Sequence, residues 1–205
     1  ESQNEEKSSP KRGKSNLRDQ EDVYTREERL ERERDVKKAI LRSNIVSAYA
    51  LSCLLHGQKF VSPFNYDDPL RGLINKNEET LKELYEKGID QRVRPSLITP
   101  LVGLAFSSIG VATGLLGKTV SANTAFIVER MIENNHDECL RILNELNLDE
   151  KELRKMICEI RDSGYDKTEE LRSKYKIYDD NQVIQNGKII PSKALQLLFD
   201  VTRKI

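Results

Sequence analysis

Apolar residues recur at helical spacing through most of the chain after residue 35. In residues 39–55, Ile40, Ile45 and Leu55 fall on one broad face, and this pattern predicts a first core helix. His56 and Gly57 follow, and glycine commonly ends a helix. The sequence therefore predicts that this helix ends there.

The same spacing predicts further helices towards the carboxyl end. A Pro-containing loop at 60–72 precedes a helix at 77–88, which Gly88 closes. The other predicted helices lie at 121–146, at 148–162 with Asp149 as N-cap, and from Pro191 to the end. No segment has the pattern of a sheet or a repeat, so the chain is predicted to be an all-α bundle of about five or six core helices.

The most apolar stretch lies between Arg94 and Lys118, where 23 consecutive residues carry no charge. That length would cross a bilayer. Pro100 and the glycines of the stretch argue against a spanning helix, so a buried helix or a helical hairpin half sunk in a membrane surface is an equal alternative. Gly110 and Gly114 form a GxxxG pair, which permits close helix contact but is also common by chance in such a segment.

The first 34 residues differ sharply from the rest, because they are rich in Ser, Glu, Lys and Arg. We therefore divide the chain into a charged N-terminal extension, 1–34, and a helical domain, 35–205. The extension holds a basic cluster, Lys11, Arg12 and Lys14, which could contact RNA or a protein partner or belong to a solvated tail. The first residue is Glu1, so both a removed targeting segment and a shortened chain are compatible expectations.

Composition narrows the possible functions. Lys and Arg number 34, as do Asp and Glu, so no overall field steers the chain to nucleic acid or to an anionic membrane. The 3 cysteines lack a CxxC pair, which excludes a disulfide framework or a zinc ribbon and suits a reducing compartment. With no Trp and 2 His, the chain is poor in the side chains that usually build active sites.

Residues 112–119 resemble a loose phosphate-binding loop, ATGLLGKT. A real phosphate loop follows a buried strand and opens a βαβ unit. No alternating β/α pattern follows here, so nucleotide hydrolysis is disfavoured.

Glu129, Glu133 and His136 are the candidates for metal binding. They lie at i, i+4 and i+7 on one predicted helix, and Glu133 and His136 have the ExxH spacing of di-iron bundles. His56 has Cys53 three residues earlier, so the chain lacks a second ExxH and cannot complete a two-iron site. A mononuclear site remains open, as does an ordinary solvent-facing position on a charged helix.

Residues 92–133, which run from RVRP through the LLGK end of the apolar segment to VERMIE, are similar to the core of the demethoxyubiquinone hydroxylases. Looser similarity extends from the first core helix to the closing LLFDVTRKI. The resemblance implies a ferritin-like bundle that hydroxylates a polyprenyl benzoquinone at the matrix face of the mitochondrial inner membrane. It also implies two irons held by four Glu and two His.

Carried over position by position, the resemblance leaves most of that ligand set missing. Glu129 matches a family ligand, and a family His falls on Asn135, beside His136. The remaining ligand positions fall on Ile40 or Leu41, Asn77, Thr80, Gly164 and Lys167. Lys167 would place a positive charge where cations should bind.

These losses lead to the expectation of a non-catalytic protein without a cofactor. It would be an architectural subunit of a mitochondrial respiratory-chain, ATP synthase or ribosomal assembly, in the matrix or at the matrix face of the inner membrane. Its partners would be other subunits, RNA through the N-terminal tail, and the inner membrane or a quinone through residues 96–117. The alternatives are a quinone- or lipid-binding protein of ubiquinone biosynthesis and an active di-iron hydroxylase.

Overall fold

The computed structural model describes residues 26–62, 68–94, 96–146 and 150–177. These residues form helices and connections, with no strand among them, which confirms the all-α, ferritin-like bundle. The helices are α1 (Arg26–Val61), α2 (Asp68–Asp90), α3 (Thr99–Leu115), α4 (Lys118–Glu145) and α5 (Lys151–Tyr175).

Helix α1 is longer at both ends than the predicted first core helix, and its N-terminal part agrees with the exposed helix that the alternating Glu and Arg residues after Tyr24 predict. It begins at Arg26, so it crosses the boundary placed between residues 34 and 35. It also passes through Gly57 and ends at Val61, so the predicted stop at His56 and Gly57 is wrong. A Cβ atom at Gly57 would lie 2.6 Å from the carbonyl oxygen of Ser107. The glycine therefore serves contact with α3 and does not end the helix.

Helix α2 begins at Asp68, well before the predicted start at residue 77, and ends at Asp90. Residues 68–72, predicted as loop, are thus helical. Pro69 is tolerated because a first-turn residue needs no intrahelical N–H bond. Leu70, Leu73 and Leu84 are fully buried, and this apolar face stabilises the early turns against the bundle.

The described part of the apolar segment forms the single helix α3, so the expectation of an apolar hairpin within this segment is wrong. Helix α4, which follows α3, is amphipathic and carries charged residues. The two helices are joined at Gly117, whose φ of 104° lies in the region that favours glycine. Because a helix precedes this turn, residues 112–119 do not form a phosphate loop. Each helix in the described part of the chain is too short or too polar to span a bilayer.

Helix α4 matches its predicted range closely, whereas α5 continues to Tyr175, past the predicted end at residue 162. Asp149, the predicted N-cap, and the predicted final helix from Pro191 lie outside the described residues.

Two hydrophobic clusters divide the interior. One contains Leu51, Leu73, Val128 and Leu171 among its members. The other contains Leu41, Leu84, Leu143, Ile157 and further residues. Some of the buried polar residues lie along the helices where these two clusters meet, and these form the candidate site.

Candidate functional site

A subset of the buried polar residues forms a layer that crosses the bundle, which we call the polar layer. On α2 and α5 its members lie between one apolar cluster and the other along the helix, and on α4 they begin at Glu129, within the first cluster, and end before the second. They are Asn44 on α1, Lys76, Asn77 and Thr80 on α2, Glu129, Glu133, Asn135 and His136 on α4, and Gly164 and Thr168 on α5. The expected ligand positions Asn77, Thr80 and Gly164 therefore do face the interior.

Lys76 and Glu129 form an ion pair at the centre of this layer. The Nζ atom of Lys76 donates to Oε1 of Glu129 at 2.8 Å, and the two side chains are only 10% and 1% exposed. A Cβ atom at Gly164 would lie 2.7 Å from that Glu129 oxygen and 3.1 Å from the Lys76 nitrogen. The ion pair thus occupies the space that a side chain at position 164 would need.

Glu133 is buried and is held by two donors. The Thr168 hydroxyl donates to its Oε1 atom at 2.8 Å, and the Arg130 guanidinium donates to Oε2 at 2.7 Å. Burial raises the pKa of Glu133, although these two hydrogen bonds act against the rise. Glu133 therefore does not lie on a solvent-facing side of α4.

His136 is also buried, being 3% exposed. Burial, together with repulsion from Lys76 and Arg161, lowers the pKa of His136 to about 3. The ring is consequently neutral near pH 7, and its Nδ1 atom has no hydrogen-bond partner among the described residues.

On the α1 side, the layer contains the amide of Asn44, and the positions where the resemblance would place a carboxylate are apolar. Asn44 donates to the carbonyl oxygen of Ile40 at 2.8 Å, and Ser43 donates to Asn135 at 3.1 Å. Ile40 and Leu41 are buried apolar residues, 4% and 1% exposed. Helix α1 therefore supplies no carboxylate to the layer.

The described residues do not fit a pair of iron ions. Within them, no three His, Cys, Asp or Glu side chains come together so that they could hold a metal ion. Glu129 is already engaged by Lys76, and Glu133 by Thr168 and Arg130. Glu129, Glu133 and His136 thus share the layer without forming a metal site, and we derive no chemical step through iron.

The cation in this interior is not the one that the sequence suggested. Lys167 is 34% exposed and pairs with Glu170 at 2.9 Å, so it lies at the surface. Lys76 occupies the interior in its place.

Residues 35–172 match the protein family described as Ubiquinone biosynthesis protein COQ7. The chain belongs to this family. The match begins in α1 and ends in α5, so it covers the entire described bundle except the first turns of α1 and the last turn of α5.

Curated relatives are consistent with this family. The chain is 26% identical over 141 residues to the mitochondrial NADPH-dependent 3-demethoxyubiquinone 3-hydroxylase of Dictyostelium discoideum, covering 68% of this chain and 65% of that protein. It is 28% identical over 157 residues to the Mus musculus protein of the same name, covering 72% and 71%. The chain thus spans about two-thirds of the length of these relatives.

The comparisons correct the functional expectation from sequence. The prediction of a non-catalytic subunit of a respiratory-chain, ATP synthase or ribosomal assembly is wrong, because the family and the relatives belong to ubiquinone biosynthesis. The prediction that the chain is not an enzyme is contradicted as well, since the relatives are named as hydroxylases. The missing ligands bear on whether this interior binds metal. They do not bear on whether the chain belongs to an enzyme family.

Sequence reasoning missed Lys76, Arg130 and Thr168. Lys76 lies three residues after Leu73 and four before Thr80, and that spacing places it on the buried face of α2. A signal was therefore available, but lysine is seldom buried, so this spacing alone does not single it out. Lys11, Arg12 and Lys14 lie outside the described residues, so their contacts stay a prediction.

Proposed function

We propose that this COQ7-family chain works in mitochondrial ubiquinone biosynthesis and takes demethoxyubiquinone as its ligand. Its relatives are named for the 3-hydroxylation of this compound, and this chain would bind the compound for that step at the matrix face of the inner membrane. The observation that carries the proposal is the family match over residues 35–172, which includes every helix that contributes to the polar layer. Two features of the surface support a long apolar ligand.

The first feature is the outer face of α3. Leu101, Leu104 and Leu115 are 68%, 69% and 71% exposed, and Leu97 just before the helix is 94% exposed. They are spaced so that they form one stripe along the helix, and no charged residue occurs between 95 and 117. An apolar stripe of this kind suits the surface of a membrane, where a polyprenyl tail is dissolved.

The second feature is a pocket of about 130 Å³ at the start of α3, formed with α1 and the end of α2. Ile45, Tyr85 and Val93 contribute to its largely apolar wall, and Arg42 and Arg94 contribute the charged groups. The pocket is small compared with the ~300–1,000 Å³ of whole-ligand sites. It would accept a ring, with the polyprenyl tail lying outside along α3.

A quinone-retention experiment tests the ligand. The full chain is purified in mild detergent, and its bound lipids are extracted and analysed by mass spectrometry, with demethoxyubiquinone added as the probe. Val93→Phe should fill the pocket and reduce retention several-fold. Val120→Phe is the matched control, because Val120 is half-buried outside the pocket and should leave retention unchanged. Equal retention by both variants would exclude the pocket as the quinone-binding site.

A cellular experiment tests the pathway. In cells that normally make this chain, its deletion should raise the ratio of demethoxyubiquinone to ubiquinone, and re-expression should restore it. An unchanged ratio would reject the proposed step. Fractionation of the same cells tests the location, since a chain found outside mitochondria would contradict it.

Vesicle flotation tests the membrane surface. The chain should float with vesicles of phosphatidylcholine and cardiolipin, and Leu101→Ser/Leu104→Ser should float less. Flotation that is equal for both proteins would show that α3 is not the membrane contact.

A further inference from the structure

The polar layer contains a largely buried lysine at the position where the resemblance implies a metal centre. Lys76 reaches this layer from α2, its side chain is 10% exposed, and its ammonium group lies 2.8 Å from the almost fully buried Glu129. Buried charges are found in proteins when they are paired or when they bind metal. Here the partner of the carboxylate is an ammonium group of the chain itself.

We propose that Lys76 is the built-in cation of this bundle, and that its ion pair with Glu129 does the structural work of a bound metal. The charge of the Glu129 carboxylate is then balanced without a divalent ion. This inference concerns the interior alone and does not depend on the proposed quinone ligand.

The charges of the layer support this assignment. Lys76 neutralises Glu129. Arg130 neutralises Glu133 through Oε2, the carboxylate oxygen that Thr168 does not contact. A divalent cation entering the layer would meet two positive groups, and like charges a few ångströms apart repel strongly where water is scarce. The remaining candidate ligand, His136, already experiences the charges of Lys76 and Arg161.

The space available in the layer also supports the assignment of Lys76 as the built-in cation. Position 164 faces Glu129 and Lys76 and is a glycine, and a Cβ atom there would meet both side chains within 3.1 Å. The absent side chain is what leaves room for the lysine to extend from α2 to α4. Glycine at 164 and lysine at 76 are therefore complementary, and a side chain at 164 would require the ends of Lys76 and Glu129 to shift.

Metal addition and removal provide the first test. The full chain is purified, its metal content is measured by mass spectrometry, and its melting temperature is followed with EDTA and with added Fe²⁺, Co²⁺ or Zn²⁺. The proposal predicts substoichiometric metal and a melting temperature unchanged by each treatment. Stoichiometric tightly bound iron, or a melting temperature lowered by EDTA, would overturn it.

Substitution of the ion pair provides the second test. Lys76→Met leaves the Glu129 carboxylate buried without its partner and should lower the melting temperature by roughly 10 °C. Lys76→Met/Glu129→Gln removes both charges and should recover more than half of that loss. Lys87→Met is the matched control, because its ion pair with Glu152 is solvent-exposed, and it should change the melting temperature by only a few degrees.

The double variant keeps the proposal falsifiable if Lys76→Met does not fold. A double variant that folds with near-wild-type stability supports a role for the pair as compensating charges. A Lys76→Met protein as stable as wild type, or a double variant no better than the single one, would show that Lys76 is not the counter-ion of this interior.

Discussion

The interface between α1 and α3 and the polar layer show two different ways of bringing helices together. At the α1–α3 interface, side chains are removed: Cβ atoms at Gly110 and Gly114 would lie 2.2 Å from the Leu54 carbonyl oxygen and 2.4 Å from Val61. In the polar layer, charged side chains are retained and paired, as with Lys76 and Glu129. The first interface depends on shape and the second on electrostatic compensation, so they should respond to different changes.

The largest effect is expected at the glycine interface. Gly110→Val would place atoms against the backbone of α1, which cannot move aside as a side chain can, and should lower the free energy of unfolding by about 3 kcal/mol or more. Chemical denaturation measures the change. Ala112→Val, at an exposed position of the same helix, is the control and should cost about 0.5 kcal/mol. Similar costs at the two positions would mean that α3 does not pack closely on α1.

A smaller loss is expected within the polar layer. Thr168→Val removes the hydroxyl that donates to Glu133 and should lower the free energy of unfolding by about 2–3 kcal/mol, because the acceptor is a buried carboxylate. Thr124→Val is the control, since that buried hydroxyl bonds only the Val120 carbonyl oxygen of its own helix. If both variants lose the same stability, the hydrogen bond to Glu133 contributes nothing special.

Lowering the pH should lower the stability of the folded chain through His136. Its folded pKa of about 3 lies below the ordinary 6.5, so the unfolded chain binds a proton in this window that the folded chain does not. Stability is therefore lost as pH falls below 6.5, by about 2 kcal/mol at pH 5. Glu133, whose pKa is raised, acts in the opposite direction above pH 4.5.

The difference between wild type and His136→Gln isolates the histidine contribution in that pH window. Denaturation curves collected from pH 7 to pH 4.5 give the free energy of unfolding of each protein. The free energy of wild type should fall relative to that of His136→Gln as the pH falls, because only the wild type carries this titration. Parallel curves would contradict a neutral, buried imidazole at position 136.

The smallest effect on stability is expected at the outer face of α3. Leu101→Ser/Leu104→Ser alters exposed side chains and should change the free energy of unfolding by less than about 0.5 kcal/mol per residue. This double variant is the one proposed to lose vesicle binding. A large loss of stability would mean that these leucines pack inside the folded chain rather than facing a membrane.

The fold was more predictable than its helix ends. Apolar spacing located α4 to within three residues at its start and one at its end, because its buried face repeats without interruption. It placed the end of α1 at Gly57 instead of Val61 and the start of α2 at residue 77 instead of Asp68. A glycine within a helix can serve a tertiary contact, and a proline is compatible with the first turn of a helix. Gly57 is used for contact with α3, and this cannot be known before the two helices are placed together.

The sequence by itself determined the helical class, the charge balance and the shortage of metal ligands, since these depend on local spacing and on an inventory of side chains. Only the tertiary structure decided which charge enters the interior. Lys76 and Lys167 are both lysines on amphipathic helices, yet one is paired inside the bundle and the other lies at the surface. Burial of a charge depends on whether a partner from another helix is within reach, and that is a property of three-dimensional packing.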